Sequence, residues 1–165
     1  MNTPWEQIAD CLRAELADYG GLLNLFEEQQ RCLFERNATH VLQLSTAIEG
    51  QARELATNRT QRERLVAEFA VEQSLPSTTT LRALLPRIEP DARPLLEALI
   101  DEVNRLLHRV RRTSRHNHTL LASAVQVHQE TLQQLRPQAF TRTYAPSGRI
   151  SANNSALAST LRVAG

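Results

Sequence analysis

Residues 4–36, PWEQIADCLRAELADYGGLLNLFEEQQRCLFER, decide the fold of this chain. Large apolar side chains recur there every seven residues, at Trp5, Leu12, Tyr19, Phe26 and Leu33. A seven-residue repeat with further apolar residues three or four positions away is typical of a helix that packs along another helix. The repeat stays in phase across the Gly20-Gly21 pair. It therefore predicts one long helix that is bent or closely packed at the glycines.

The helical pattern resumes after Asn37 and predicts a second helix that ends near Ser74. The middle of this helix is polar at Gln51, Asn58 and Arg62, where the repeat calls for apolar side chains. We therefore expect this part of the helix to face water or a partner.

A run of turn and capping residues at 75–80 interrupts the pattern, and a short helix closed by Pro86 and Pro90 is expected after it. A second long apolar stripe follows Pro94 and ends at Pro137. Its members are Leu96, Leu99, Val103, Leu106, Val110, Leu120, Ala124, Val127, Leu132 and Leu135.

These segments predict an all-α fold, an elongated antiparallel helical bundle or coiled coil of three long helices and one short helix. We expect residues 1–136 to form the helical body and residues 137–165 to form a flexible C-terminal tail that binds a partner. The first helix is rich in acids and residues 92–136 are rich in arginine, which favours packing of these two segments side by side. Weak self-association through the apolar stripes is left open.

Composition limits the chemistry of the chain. The formal net charge is +1, and all 19 basic residues are arginine, so Schiff-base chemistry and a P-loop lysine are excluded. Cys11 and Cys32 lie about 30 Å apart on one predicted helix and cannot form a disulfide with each other. With no secretory or membrane-spanning pattern, we expect a cytoplasmic protein that is not embedded in a membrane.

The sharpest charge feature of the body is a basic run on the third long helix. It comprises Arg105, His108, Arg109, Arg111, Arg112, Arg115, His116 and His118. A solvated helix face is the favoured interpretation, because these residues spread around much of the helix, and an arginine-rich nucleic-acid-binding protein is the alternative. A structural coiled-coil adaptor is a further alternative for the chain as a whole.

No catalytic, metal or cofactor site is expected. The spacing of His116 and His118 points the two rings apart, whereas a metal pair on a helix requires positions three or four residues apart. The chain also contains no HExxH zinc motif, glycine-rich phosphate loop or nucleophile elbow. We therefore expect a protein that is not an enzyme and needs no cofactor.

Asn117 is a polar residue on the apolar stripe of the third long helix. Two interpretations are left open. It is either a buried amide that fixes the helix register or a hydrogen-bonding group for the backbone of a bound partner.

The tail contains two further elements. Pro146 and Gly148 break any helix near Tyr144, so this part is expected to be extended or turning. Beyond it a narrow apolar stripe with helical spacing consists of Ile150, Asn154, Leu157 and Leu161. Such a segment is marginal as an isolated helix, but it can fold in the groove of a partner.

The helical body, Asn117 before Leu120-Leu121, and the tail TYAPSGR at residues 143–149 together resemble the FlgN-type flagellar export chaperones. The resemblance implies a cytoplasmic chaperone that holds hook-filament junction proteins, prevents their premature assembly and delivers them to the cytoplasmic domain of the flagellar type III export gate. It implies cargo binding at Ile150, Asn154, Leu157 and Leu161. It also implies docking to the gate at Tyr144 and Gly148. Because the formal net charge is only +1, we expect no nucleic-acid partner.

Overall fold

The computed structural model describes residues 3–135 and two short strands, 143–144 and 150–151. The helices are α1 (Pro4–Phe34), α2 (Ala38–Glu72), α3 (Leu81–Leu84), which continues into a 3-10 turn (Leu85–Arg87), and α4 (Arg93–Leu135). The strands are β1 (Thr143–Tyr144) and β2 (Ile150–Ser151). The predicted all-α bundle with three long helices and one short helix is confirmed.

Local sequence explains where these helices begin. The carboxylate of Glu6 accepts a hydrogen bond from the backbone N–H of Thr3 at 2.6 Å, and Pro4 occupies the first helical position of α1. The side chain of Asn37 accepts from the backbone N–H of His40 and caps α2. Asn37 thus ends the α1–α2 turn that the sequence predicted.

Consecutive long helices run in opposite directions. Ser45, near the start of α2, bonds to Gln29 near the end of α1, whereas Arg62, near the end of α2, bonds to Glu15 in the first half of α1. α1 and α2 are therefore antiparallel. α2 ends beside the N-terminal half of α1, and α4 begins after the short α3 connection from that end. Because α4 then reaches Phe26, in the C-terminal half of α1, only at Asn117, it runs parallel to α1.

Two apolar clusters form the core. The larger cluster joins α1 and the C-terminal part of α2 to α3 and the first half of α4, and it includes the fully buried Ile8, Leu84 and Leu96. The smaller cluster lies at the α1–α2 turn and contains Cys32, Val41, Leu44, Leu25, Leu33 and Leu121. Burial of these side chains at about 1.5–3 kcal/mol each is the main force that holds the long helices together.

Contacts divide the chain into two units, residues 1–123 and residues 124–165. The first unit contains both apolar clusters. The second contains the last turns of α4 and the antiparallel pair of strands, in which Tyr144 lies opposite Ile150 and Thr143 opposite Ser151. The predicted division at residue 136 into a body and a partner-binding tail stays a prediction.

Candidate interaction site

The polar residues in the middle of α2 face α1. Gln51 and Asn58 donate to the two carboxylate oxygens of Asp18 at 2.9 and 2.6 Å, and Arg62 donates to Glu15. The expectation that this part of α2 faces water or a partner is therefore wrong. The polar side chains of α2 are matched by acids on α1, so the interface between the two helices includes a row of hydrogen bonds that we call the polar seam.

Glu15 and Arg62 form the most buried pair of the polar seam. Arg62 Nε lies 2.5 Å from Glu15 Oε1, and the carboxylate side chain is only 1% exposed while the arginine side chain is 19% exposed. Burial, with a smaller contribution from the Glu15 carboxylate, raises the pKa of the neighbouring Cys11 thiol and of the Tyr19 hydroxyl. A raised thiol pKa disfavours the thiolate, so the setting of Cys11 does not favour nucleophilic chemistry.

Asn117 is a buried amide at the contact between α4 and α1. Its Nδ2 donates to the backbone oxygen of Phe26 at 2.7 Å and to Gln29 Oε1 at 3.1 Å, and the residue is 1% exposed. Gln29 in turn donates to Ser45 of α2, so one chain of hydrogen bonds connects all three long helices. Of the two interpretations left open by the sequence, the geometry supports the register-fixing amide.

The histidines do not converge on a site within the described part of the chain. His40 bridges α2 to Glu28 of α1 with a contact of 3.1 Å, and that hydrogen bond raises the pKa of the imidazole. Among residues 3–135 no three His, Cys, Asp or Glu side chains are arranged to hold a metal ion. No described helix has both the length and the apolar content needed to cross a membrane.

The basic run of α4 is exposed to solvent. We call it the basic face, and all eight of its residues, Arg105, His108, Arg109, Arg111, Arg112, Arg115, His116 and His118, are exposed. Among the described residues, ion pairs between helices join α1 to α2 and α3 to α4, and none joins α1 to the basic face. The predicted charge attraction between helix 1 and the arginine-rich segment is therefore not formed as direct ion pairs.

The apolar stripe of α4 continues past the part of the helix that is buried. Asn117 lies beside Gln29, and α1 ends only five residues later at Phe34, so α1 has little length left to cover α4. From Ala122 to Leu135 every residue is exposed. The large apolar side chains in this stretch are Val125 (53% exposed), Val127 (61%), Leu132 (46%) and Leu135 (73%). The sequence placed Val127, Leu132 and Leu135 on the packing stripe of the bundle without distinguishing them from its buried members, and it did not place Val125 there.

We call residues 122–135 the exposed end of α4. Val125, Leu132 and Leu135 fall on one side of the helix at spacings of seven and three residues, which is the spacing of a face that packs on a second helix. The exposed end is therefore a candidate interaction surface that sequence reasoning missed, although an apolar stripe longer than its expected partner helix was the available signal.

The predicted tail residues are described only in part. Tyr144 and Ile150 are opposite each other in the β1–β2 pair, so the hairpin brings the backbone of the predicted docking residue next to that of the first predicted cargo residue. Gly148, Asn154, Leu157 and Leu161 lie outside the described residues.

Comparison with protein families gives one match. Residues 1–152 match the family model described as FlgN protein. The matched range includes Tyr144, Gly148 and Ile150 and ends before Asn154. No curated protein and no solved structure matches the chain.

Proposed function

The chain belongs to the FlgN family of flagellar export chaperones, and from this membership we propose that it holds hook-filament junction proteins and delivers them to the cytoplasmic domain of the export gate. The single observation that carries the proposal is the family match over residues 1–152. We propose that the protein works in the cytoplasm and binds its partners without catalysing a reaction.

Cargo binding is proposed to use two apolar surfaces. One is the tail stripe Ile150, Asn154, Leu157 and Leu161, and the other is the exposed end of α4. Each is a narrow apolar stripe at helical spacing in the sequence, the kind of surface that an amphipathic helix of the cargo buries. This arrangement explains why α4 keeps apolar residues beyond the reach of α1.

Gate docking is proposed to use Tyr144 and Gly148. The pairing of Tyr144 with Ile150 in the β1–β2 hairpin supports a close link between the docking and cargo elements. A segment that orders when it binds loses conformational entropy, which keeps the affinity moderate and allows release at the gate without hydrolysis by the chaperone.

The first experiment removes residues 138–165. The helices described here end at Leu135, so the far-UV helicity should remain nearly unchanged. Binding to the C-terminal segments of junction proteins, measured by calorimetry and gel filtration, should be lost. Retention of full cargo affinity after this truncation would rule out the tail as a cargo site.

A second experiment tests the exposed end of α4 with the double substitution Val125→Glu and Leu132→Glu. Each side chain has about half its surface left to bury, worth about 1 kcal/mol, so the pair should weaken cargo binding by roughly 30-fold or more. The control is Val71→Glu, which changes a 61% exposed valine on α2 in the same way. Equal affinities of both variants for cargo would exclude this surface.

The two tail elements can be separated by Tyr144→Ala. This change should weaken binding to the cytoplasmic domain of the gate more than binding to cargo. Equal losses for the two partners would show that Tyr144 has no separate docking role.

A further inference from the structure

The arginines of α2 and of α4 differ in whether they form ion pairs within the protein. All four arginines of α2 have a carboxylate partner, in the pairs Arg53–Glu49, Arg59–Glu63, Arg64–Glu68 and Arg62–Glu15. Among the residues that the structure describes, Arg105 is the one arginine of the basic face with such a partner, Glu102. Within the described residues, no carboxylate lies in ion-pair range of Arg109, Arg111, Arg112 or Arg115.

The acid of α4 that directly precedes these arginines, Glu102, already forms an ion pair with Arg105. From Val103 to Gln129, 27 consecutive residues include no Asp or Glu. Arg105 and Arg109, and also Arg111 and Arg115, are like charges one turn apart, a spacing that destabilises a helix. A helix face can be soluble without such repulsion, as α2 shows, because its exposed face alternates acidic residues with arginines that pair with them.

The four arginines without ion pairs also point in one general direction. At 3.6 residues per turn they cover about 160° of the helix circumference, centred opposite the buried Val110. From Arg105 to His118 the basic face is about 20 Å long at 1.5 Å per residue. It is therefore a continuous positive strip on the side of α4 that faces away from the core.

We propose that the basic face is a docking surface for an acidic helical segment of a partner protein, with carboxylates spaced about one turn apart. Arginine presents a planar fork of donors that binds carboxylates in pairs, and an exposed helix repeats such forks at the spacing of a second helix. The residues of this surface are not those proposed for the tail or for the exposed end of α4, so it adds a third partner contact to those of the proposed function.

Charge on the rest of the molecule favours a protein over a nucleic acid. The chain has 18 acidic residues, a net charge of only +1 and a pI of about 7.9, whereas nucleic-acid-binding domains are commonly basic overall with a pI above about 9. Exposed acids on α1 and α2, such as Glu27 and Glu54, would repel a long polyanion. A short acidic helix contacts only the strip itself.

The test uses the full chain and a fluorescent alanine-based peptide of about 16 residues, long enough to span the basic face, with glutamate at every fourth position. A second peptide of the same composition has its glutamates contiguous, and a DNA duplex of similar length is the third probe. Anisotropy is measured at about 50 mM salt, where surface charges are weakly screened. The spaced peptide should bind most tightly of the three.

Matched variants locate the binding. Loss of one exposed ion pair between an arginine and a peptide glutamate lowers the affinity by about two- to fivefold. The double variant Arg109→Gln with Arg112→Gln should therefore bind the spaced peptide about 4- to 25-fold more weakly. The control pair Arg53→Gln with Arg64→Gln on α2 should change it less than twofold. Equal losses from the two pairs would overturn the proposal.

Two further results would overturn it. Equal binding of both peptides would mean a diffuse charge effect, and tighter binding of the duplex would assign the face to nucleic acid. Folding gives an independent check, because neutralising Arg109, Arg111, Arg112 and Arg115 removes repulsion and should leave the melting temperature unchanged or higher. A clear fall in melting temperature would give these arginines a structural role instead.

Discussion

Replacement of Arg62 by methionine should destabilise the bundle strongly. Methionine keeps most of the length and apolar stem of arginine, so the change chiefly removes the guanidinium that faces Glu15. The Glu15 side chain is 1% exposed and has no room to reach water, so its charge would stay buried without a partner. Loss of one member of a buried pair costs about 3–5 kcal/mol, against about 0–1 kcal/mol for an exposed pair.

The low exposure of both side chains decides which of these two ranges applies. A domain has about 5–15 kcal/mol of total stability, so the loss expected for Arg62→Met is a large fraction of it. The reverse change, Glu15→Met, should cost less, because Arg62 is 19% exposed and can turn its head group toward solvent. The double variant should return close to the stability of the unmodified protein or exceed it, since apolar replacements of buried ion pairs are often neutral or stabilising.

Urea unfolding followed by circular dichroism at 222 nm measures these free energies for the four proteins of the double-mutant cycle. The matched control is Arg64→Met, whose partner Glu68 is exposed, and it should change the free energy of unfolding by less than about 1 kcal/mol. If Arg62→Met also costs less than about 1 kcal/mol, Glu15 is hydrated in solution and the reasoning about a buried pair is refuted.

Three further changes test other parts of the bundle by thermal and urea unfolding. Asn117→Leu exchanges two hydrogen bonds for apolar burial, so the free energy of unfolding should change by less than about 1.5 kcal/mol. Near-UV circular dichroism should show less specific packing of the variant. A fall in the free energy of unfolding of more than about 3 kcal/mol would contradict the prediction. Gly20→Ala should stabilise α1 by about 0.5–1 kcal/mol, because the added methyl meets no atom within 4 Å. Gly21→Ala should stabilise α1 less, because its methyl would meet a side chain of the polar seam at 3.4 Å. A larger gain from Gly21→Ala than from Gly20→Ala would contradict this prediction. The hydrogen bond to Glu28 raises the pKa of His40 in the folded protein, so the protonated imidazole stabilises the fold. This contribution is complete below the unfolded pKa of about 6.5 and is lost as the pH rises through the folded pKa. His40→Gln should therefore lower the melting temperature at acidic pH and much less at about pH 8.

Helical periodicity accounts for the parts of this fold that the sequence predicted well. The heptads of α1, the cap at Asn37 and the prolines around α3 are local signals, and each predicted helix lies close to the observed one. The chemistry of turns and caps acts over a few residues, so it can be read without knowledge of the rest of the chain.

The errors arose where a side chain depends on what lies opposite it. Gln51 and Arg62 looked like surface positions because polar residues usually avoid helix interfaces, yet Asp18 and Glu15 on α1 match them. These hydrogen-bond partners are 33 and 47 residues away in the chain, and a pattern that extends over a few residues cannot predict a contact at that separation.

The sequence by itself determined that this chain forms a bundle of three long helices and one short helix, and that it resembles the flagellar export chaperones. Only the tertiary structure decided where the bundle stops burying α4, because burial depends on how far α1 extends beside it and not on the stripe itself. Tertiary structure likewise decided which arginines have partners. Those of α2 are paired with carboxylates within the molecule, while the basic face of α4 presents its arginines to solvent.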